Sequence, residues 1–172
     1  INKARELGAE IIIGCIHWGD EYVRKPNDAQ KQLADRLFSY GMDVIFGSHP
    51  HVLQPMERKT IVDAEGNVRE VFVIYSLGNF VSNQRDRYRD SGVIVNLEIV
   101  KDYDAQTVGL GKIDYIPTWV YRYTEGGRLH YRILPVADYM DEDLLENGGR
   151  RIKEVWQETT QHLNNEKIRA RE

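Results

Sequence analysis

The stretch Asp43-Val44-Ile45-Phe46-Gly47-Ser48-His49-Pro50-His51 decides how the rest of the chain is read. It opens on an apolar run without alternation, the pattern of a strand buried on both faces of a parallel sheet. It then sets two histidines around a proline just past that strand's end. Proline locks its own backbone and biases the residue before it toward extended geometry. The two imidazoles are therefore expected to leave the chain in fixed, different directions, which suits two neighbouring metal ions better than one. His17 ends an earlier run of the same kind, Ala9-Glu10-Ile11-Ile12-Ile13-Gly14-Cys15-Ile16, and leads into the loop His17-Trp18-Gly19-Asp20-Glu21-Tyr22.

Between the two runs the spacing predicts a helix from about Asp28 to Tyr40. Asn27 is its N-cap, Gln30 completes a capping box, and Gly41 is the stop. Ala29, Leu33, Ala34, Leu37 and Phe38 make its apolar stripe, and the next strand is expected over Met42 to Phe46. Strand, helix and strand at this spacing form a βαβ unit with parallel strands and a right-handed crossover. Ligands of such sheets bind beyond the carboxyl ends of the strands, and His17 and His49 both fall there.

From Val52 onward the pattern is antiparallel. Thr60-Ile61-Val62 and Val71-Phe72-Val73-Ile74-Tyr75 flank a turn at Ala64-Glu65-Gly66-Asn67, and Ser76-Leu77-Gly78-Asn79-Phe80 reads as a turn leaving the second of them. A charged loop over 84–90 carries Arg85, Arg87 and Arg89. Strands are expected over Val93–Val100, Lys112–Tyr123 and Leu129–Val136, the last two joined at Gly126-Gly127. A short helix near Glu142–Glu146 and a longer one over Arg150–Leu163 follow, the longer with Ile152, Val155, Trp156 and Leu163 on one face. Lys167–Glu172 is expected to fray. With no linker or repeat, residues 1–172 read as a single α/β domain: a βαβ unit, then antiparallel strands, then C-terminal helices.

Composition bounds the function. The 172 residues are 41% hydrophobic and 29% charged, with a net charge of −4, values of a soluble globular chain without a global pull toward nucleic acid. The lone cysteine, Cys15, cannot form an internal disulfide and reads as a small buried hydrophobe. No apolar run reaches the roughly 18 residues of a membrane span. The start at Ile1-Asn2-Lys3-Ala4-Arg5-Glu6-Leu7-Gly8 looks like the last turns of a helix closed by glycine, so the chain is expected to begin mid-domain.

Neutral imidazoles bind zinc, manganese or iron well. His17, His49 and His51, with Asp20 and Glu21 nearby, supply part of such a site but no obvious bridging carboxylate. Asn79 reads equally as turn chemistry or as a residue lining the site, and Arg85 or Arg87 is a candidate grip on an anionic substrate. Trp18 and Tyr22 are candidate pocket walls. His130 and His162 read as packing residues. No Gly-x-Ser-x-Gly elbow or glycine-rich phosphate loop occurs.

His17-Trp18-Gly19-Asp20-Glu21-Tyr22, Gly47-Ser48-His49-Pro50-His51 and Ser76-Leu77-Gly78-Asn79-Phe80, in this order, resemble the CapA family of bacterial capsule and poly-γ-glutamate biosynthesis proteins. That family is similar to the calcineurin-like metallophosphoesterases. The resemblance covers residues 1 to about 100. It implies the C-terminal part of a four-layer α/β/β/α sandwich with a dinuclear centre of manganese, zinc or iron class. His17 and His49 would sit on one ion and His51 on the other, with Ser76–Phe80 close by. The family's earlier motifs, with the bridging aspartate and an asparagine ligand, have no counterpart here. The chain is accordingly expected to be the C-terminal half of a larger domain, with a partial or empty metal site and no activity alone. It would self-associate or need the missing N-terminal half. The implied partners are an anionic polymer or phosphoester and other capsule-synthesis proteins, and the implied setting is the bacterial membrane or cell surface, with this stretch itself soluble. A second reading keeps the fold without hydrolysis, as an accessory or tethering subunit of a polymer synthesis or export complex.

Overall fold

Asn27 accepts a hydrogen bond from the Gln30 backbone while the Gln30 side chain accepts from the Asn27 N–H. This reciprocal cap starts the helix of the βαβ unit at the expected residue. In a computed structural model, residues 1–63, 66–140 and 149–171 are described. Helix α1 (Asn2–Glu6) leads through Gly8 to β1 (Ile13–His17), then α2 (Asp28–Ser39) and β2 (Val44–Ser48). A hairpin of β3 (Leu53–Val62) and β4 (Val68–Leu77) completes a first sheet in the order β1-β2-β4-β3. Strands β1, β2 and β4 run parallel, with Ile13 opposite Val44 and His17 opposite Ser48.

The second sheet holds β5 (Ser91–Asp102), the long β6 (Thr107–Glu125) and β7 (Arg128–Pro135). Helices α3 (Val136–Tyr139) and α4 (Gly149–Leu163) follow, then β8 (Arg169–Ala170), which pairs with β6. The sheets face each other across Val44, Leu53, Met56, Phe72, Ile74, Val93, Ile113 and Tyr115. On the far side of the first sheet, α2 packs Ala34 and Phe38 against Ile45, Val71, Val73 and Tyr75. Each such side chain, fully buried, contributes about 1.5–3 kcal/mol.

The mixed α/β class and the βαβ unit stand, and the described residues form three layers of the expected sandwich. Helix α4 packs against both sheets. Its Ile152 and Val155 cover Trp119 and Leu134, and His162 and Asn165 at and after its end bond the Leu53 and Met56 carbonyls of β3. Among the described residues Ile94 and Val100, on the outer face of β5, stay exposed.

Several expectations are corrected. Strand β1 is an edge strand, so the apolar run ending at Ile16 is not buried on both faces: Ile13 is 48% exposed and Cys15 is exposed rather than a core hydrophobe. Strand β2 starts at Val44 and takes in Gly47 and Ser48, and β4 takes in Ser76 and Leu77. On α2, Leu33 is 40% exposed and Ala29 faces solvent, while polar Gln30 is buried. Period alone cannot reveal that an amide partner, Gln54, waits inside. Val136 opens α3 instead of ending β7. On α4 the buried face is completed by Thr159, with Trp156 half-buried. The segment after Lys167 does not fray: Ile168 is fully buried and β8 is held by Asn164 and Asn165 side-chain bonds. The helix expected at Glu142–Glu146, and Ala64-Glu65 of the β3–β4 turn, lie outside the described residues.

Two tests follow from this packing. A Cβ built on Gly47 would lie 2.0 Å from the Tyr75 carbonyl oxygen and 2.6 Å from Trp18 Nε1. Gly47→Ala is therefore expected to cost about 3 kcal/mol or more in urea unfolding. His162 is buried against the Leu53 carbonyl, and burial first, then the nearby Arg24 charge, lowers its pKa from 6.5. The unfolded chain then binds the proton more readily, so this contribution to stability is complete above about pH 6.5 and falls as pH drops below it. Unfolding at about pH 7.5 and 5.5 should show a larger acid loss for the natural chain than for His162→Gln.

Candidate metal centre

The parallel pairing of β1 and β2 delivers His17 and His49 to the same end of the sheet. Their ring centroids lie 4.5 Å apart, and His51 follows 6.3 Å from His49. The strand ends are clamped from behind. Trp18 Nε1–H donates to the Tyr75 carbonyl at 2.8 Å, crossing above Gly47, where no side chain would fit.

The backbone at these histidines is unusual. His49 has φ of +102° and His51 of +58°. The proline between them does not hold His49 in ordinary extended geometry, so that expectation is overturned, though the imidazoles do point different ways, with an interplanar angle of 52°. Tyr22 (+66°) and Tyr88 (+73°) are also left-handed. Non-glycine residues held there cost on the order of 1–3 kcal/mol each and concentrate at functional sites.

Tyr22 is tied to the histidine loop by its N–H, which donates to the Pro50 carbonyl at 2.7 Å. Its ring stacks toward His51 at 6.0 Å, and the Arg89 guanidinium lies 3.5 Å above it. The loop carrying Tyr22 is braced from within by a buried amide pair. Gln30 donates to Gln54, and Gln54 donates to the Val23 and Lys25 carbonyls. Asn79, expected either in a turn or at the site, belongs to the site: its Oδ1 is 3.0 Å from His51 Nδ1.

The carboxylates do not join this group. Asp20 accepts from Asn27 Nδ2 at 2.8 Å, at the start of α2, and Glu21 is exposed. Among the described residues no three His, Cys, Asp or Glu side chains come together closely enough to hold a metal ion by themselves. The arginines also divide differently from expectation. Arg85 donates to the Val120 and Ser82 carbonyls, where burial pushes its pKa down. Arg87 pairs with Glu158 of α4 at 2.8 Å, which raises its pKa. Arg89 pairs with Asp86 at 2.6 Å and is the one that lies over the Tyr22 ring. Alternation within the loop could not separate the three, because the choice depends on which of them the strand-end tyrosine meets.

The donor set suits a divalent ion of the zinc, manganese or iron class, since all three candidate ligands are imidazoles. It falls short of two full coordination spheres.

Comparison with known proteins places the chain in a family. The family model described as bacterial capsule synthesis protein PGA_cap matches residues 1–84, which contain all three histidines. The PGA biosynthesis protein CapA of Bacillus subtilis (strain 168) is 38% identical over 117 residues, covering 67% of this chain and 27% of that protein. The capsule biosynthesis protein CapA of Bacillus anthracis is 34% identical over 121 residues, covering 68% of this chain and 26% of that protein. The chain thus spans about a quarter of the length of these relatives. By these sequence matches, the chain belongs to the CapA family of bacterial capsule synthesis proteins.

Proposed function

We propose that this chain forms part of a protein of bacterial capsule or poly-γ-glutamate synthesis, to which it contributes a divalent-metal site built on His17, His49 and His51. The observation that supports this reading is the convergence of three imidazoles from two parallel strand ends, at ring separations of 4.5 and 6.3 Å. A bound ion of the zinc, manganese or iron class would supply Lewis acidity toward a phosphoryl or carbonyl oxygen.

The chain's own residues do the rest. His17 and His49 face each other as ligands, and His51 presents a third ring from the far side of Pro50. Tyr22 lies beside His51, and the anionic group of a phosphoester or of an acidic polymer would compete with Asp86 for the Arg89 guanidinium above the Tyr22 ring. Further ligands, other capsule-synthesis partners and attachment at the membrane or cell surface belong to the longer protein in this reading. Among the described residues no helix is long and apolar enough to cross a membrane.

The test is metal content and turnover of phosphomonoester and phosphodiester substrates, measured on this chain and on the full-length protein. In the full-length protein two ions per chain and turnover are expected, and His49→Ala should abolish turnover and weaken metal binding by at least roughly 10-fold. In this chain alone weaker metal uptake and no turnover are expected. Metal without turnover in the full-length protein would favour the accessory or tethering role. No metal in either would overturn the metal centre.

A further inference from the structure

We propose that Asn79 is a positioning residue that fixes the tautomer of His51, holding the proton on Nδ1 and leaving the lone pair on Nε2. Its use to a metal rests on the reading above, but the tautomer belongs to the metal-free chain. The assignment starts from the amide. Asn79 Nδ2 lies 2.8 Å from the Arg89 backbone carbonyl. A carbonyl oxygen only accepts, so that end of the amide must be the NH2 group. Turning the amide over would set two acceptor oxygens against each other. The opposite end, facing His51 Nδ1 at 3.0 Å, is therefore the amide oxygen. An imidazole nitrogen facing an acceptor must carry the hydrogen, and in the neutral ring the other nitrogen then has the lone pair. Histidines that bind metal through Nε2 ordinarily donate Nδ1–H to such an oxygen.

The surroundings hold Asn79 in this role. It is 8% exposed, and its N–H donates to the Ser91 carbonyl at 3.0 Å. Gly78 (φ +72°) and Gly92 bring two backbones together: an added Cβ would lie 2.6 Å from the Ser91 oxygen in one case and 2.6 Å from the Asn79 oxygen in the other. The second Nδ2 hydrogen reaches Gln84 Oε1 at 3.2 Å. One amide thus orients His51 and ties down the loop that carries Arg89 over Tyr22.

The deciding experiment is long-range proton–nitrogen correlation NMR on the 15N-labelled, metal-free chain at about pH 8. The natural chain is expected to show His51 protonated on Nδ1. Asn79→Asp, which keeps an acceptor oxygen, should retain that pattern while losing the donor to Arg89. Asn79→Leu should convert it to a tautomer mixture and weaken zinc binding by roughly 10–100-fold. An Nε2–H pattern in the natural chain overturns the proposal without any variant, and so does an unchanged Nδ1–H pattern in folded Asn79→Leu. An Nδ1–H ring, with no metal taken up by this chain or by the full-length protein, upholds the tautomer and overturns the metal centre instead.

Discussion

Five ladder positions, from Ile13 with Val44 to His17 with Ser48, join β1 to β2 in parallel, and the candidate site exists because of them. The helix between the strands makes the crossover that lets them run parallel, and the parallel direction sets both carboxyl ends on one edge of the sheet. The opposite end of the same pairing is pinned by Asp43. Its carboxylate, almost fully buried, accepts from Arg5, Arg69 and the Ile12 N–H. Register is therefore held at both ends, and a slip by one residue would turn His17 to the other face.

What the strands position, buried polar groups keep in place. The loop after His17 has little apolar surface, so the Gln30–Gln54 amide pair and the Trp18 bond to Tyr75 anchor it. Tyr22, His49, His51 and Tyr88 hold left-handed backbone without being glycine, and the Tyr22 N–H bond to the Pro50 carbonyl ties the first of these loops to the histidine loop. The same region holds Asn79 between two close backbone approaches. The cleft is thus assembled from strained loops on a rigid sheet, the usual division between scaffold and site.

The βαβ unit, the capping box at Asn27, both hairpins and the meeting of His17 with His49 were legible, because each rests on local pattern or a topological rule. Burial of β1 was not, since an apolar run does not say whether a strand has a neighbour on both sides. Gln30 was hidden because its partner lies on β3. The backbone of His49 escaped because the proline rule describes a bias, which tertiary bonds override here. Asp20 looked like a ligand by proximity in sequence, yet it serves the start of α2, a preference of short acidic side chains that the loop made equally available. Arg89 could be told from Arg85 and Arg87 only by contacts made across the fold.

In the function proposed above, the three imidazoles from two strand ends hold divalent metal. The most direct measurement is anomalous diffraction at the zinc edge from crystals of this chain grown with zinc. A peak is expected at roughly 2.0–2.1 Å from imidazole nitrogens of His49 and of His17 or His51. Zinc found only at other side chains, with these three rings unligated, would contradict it.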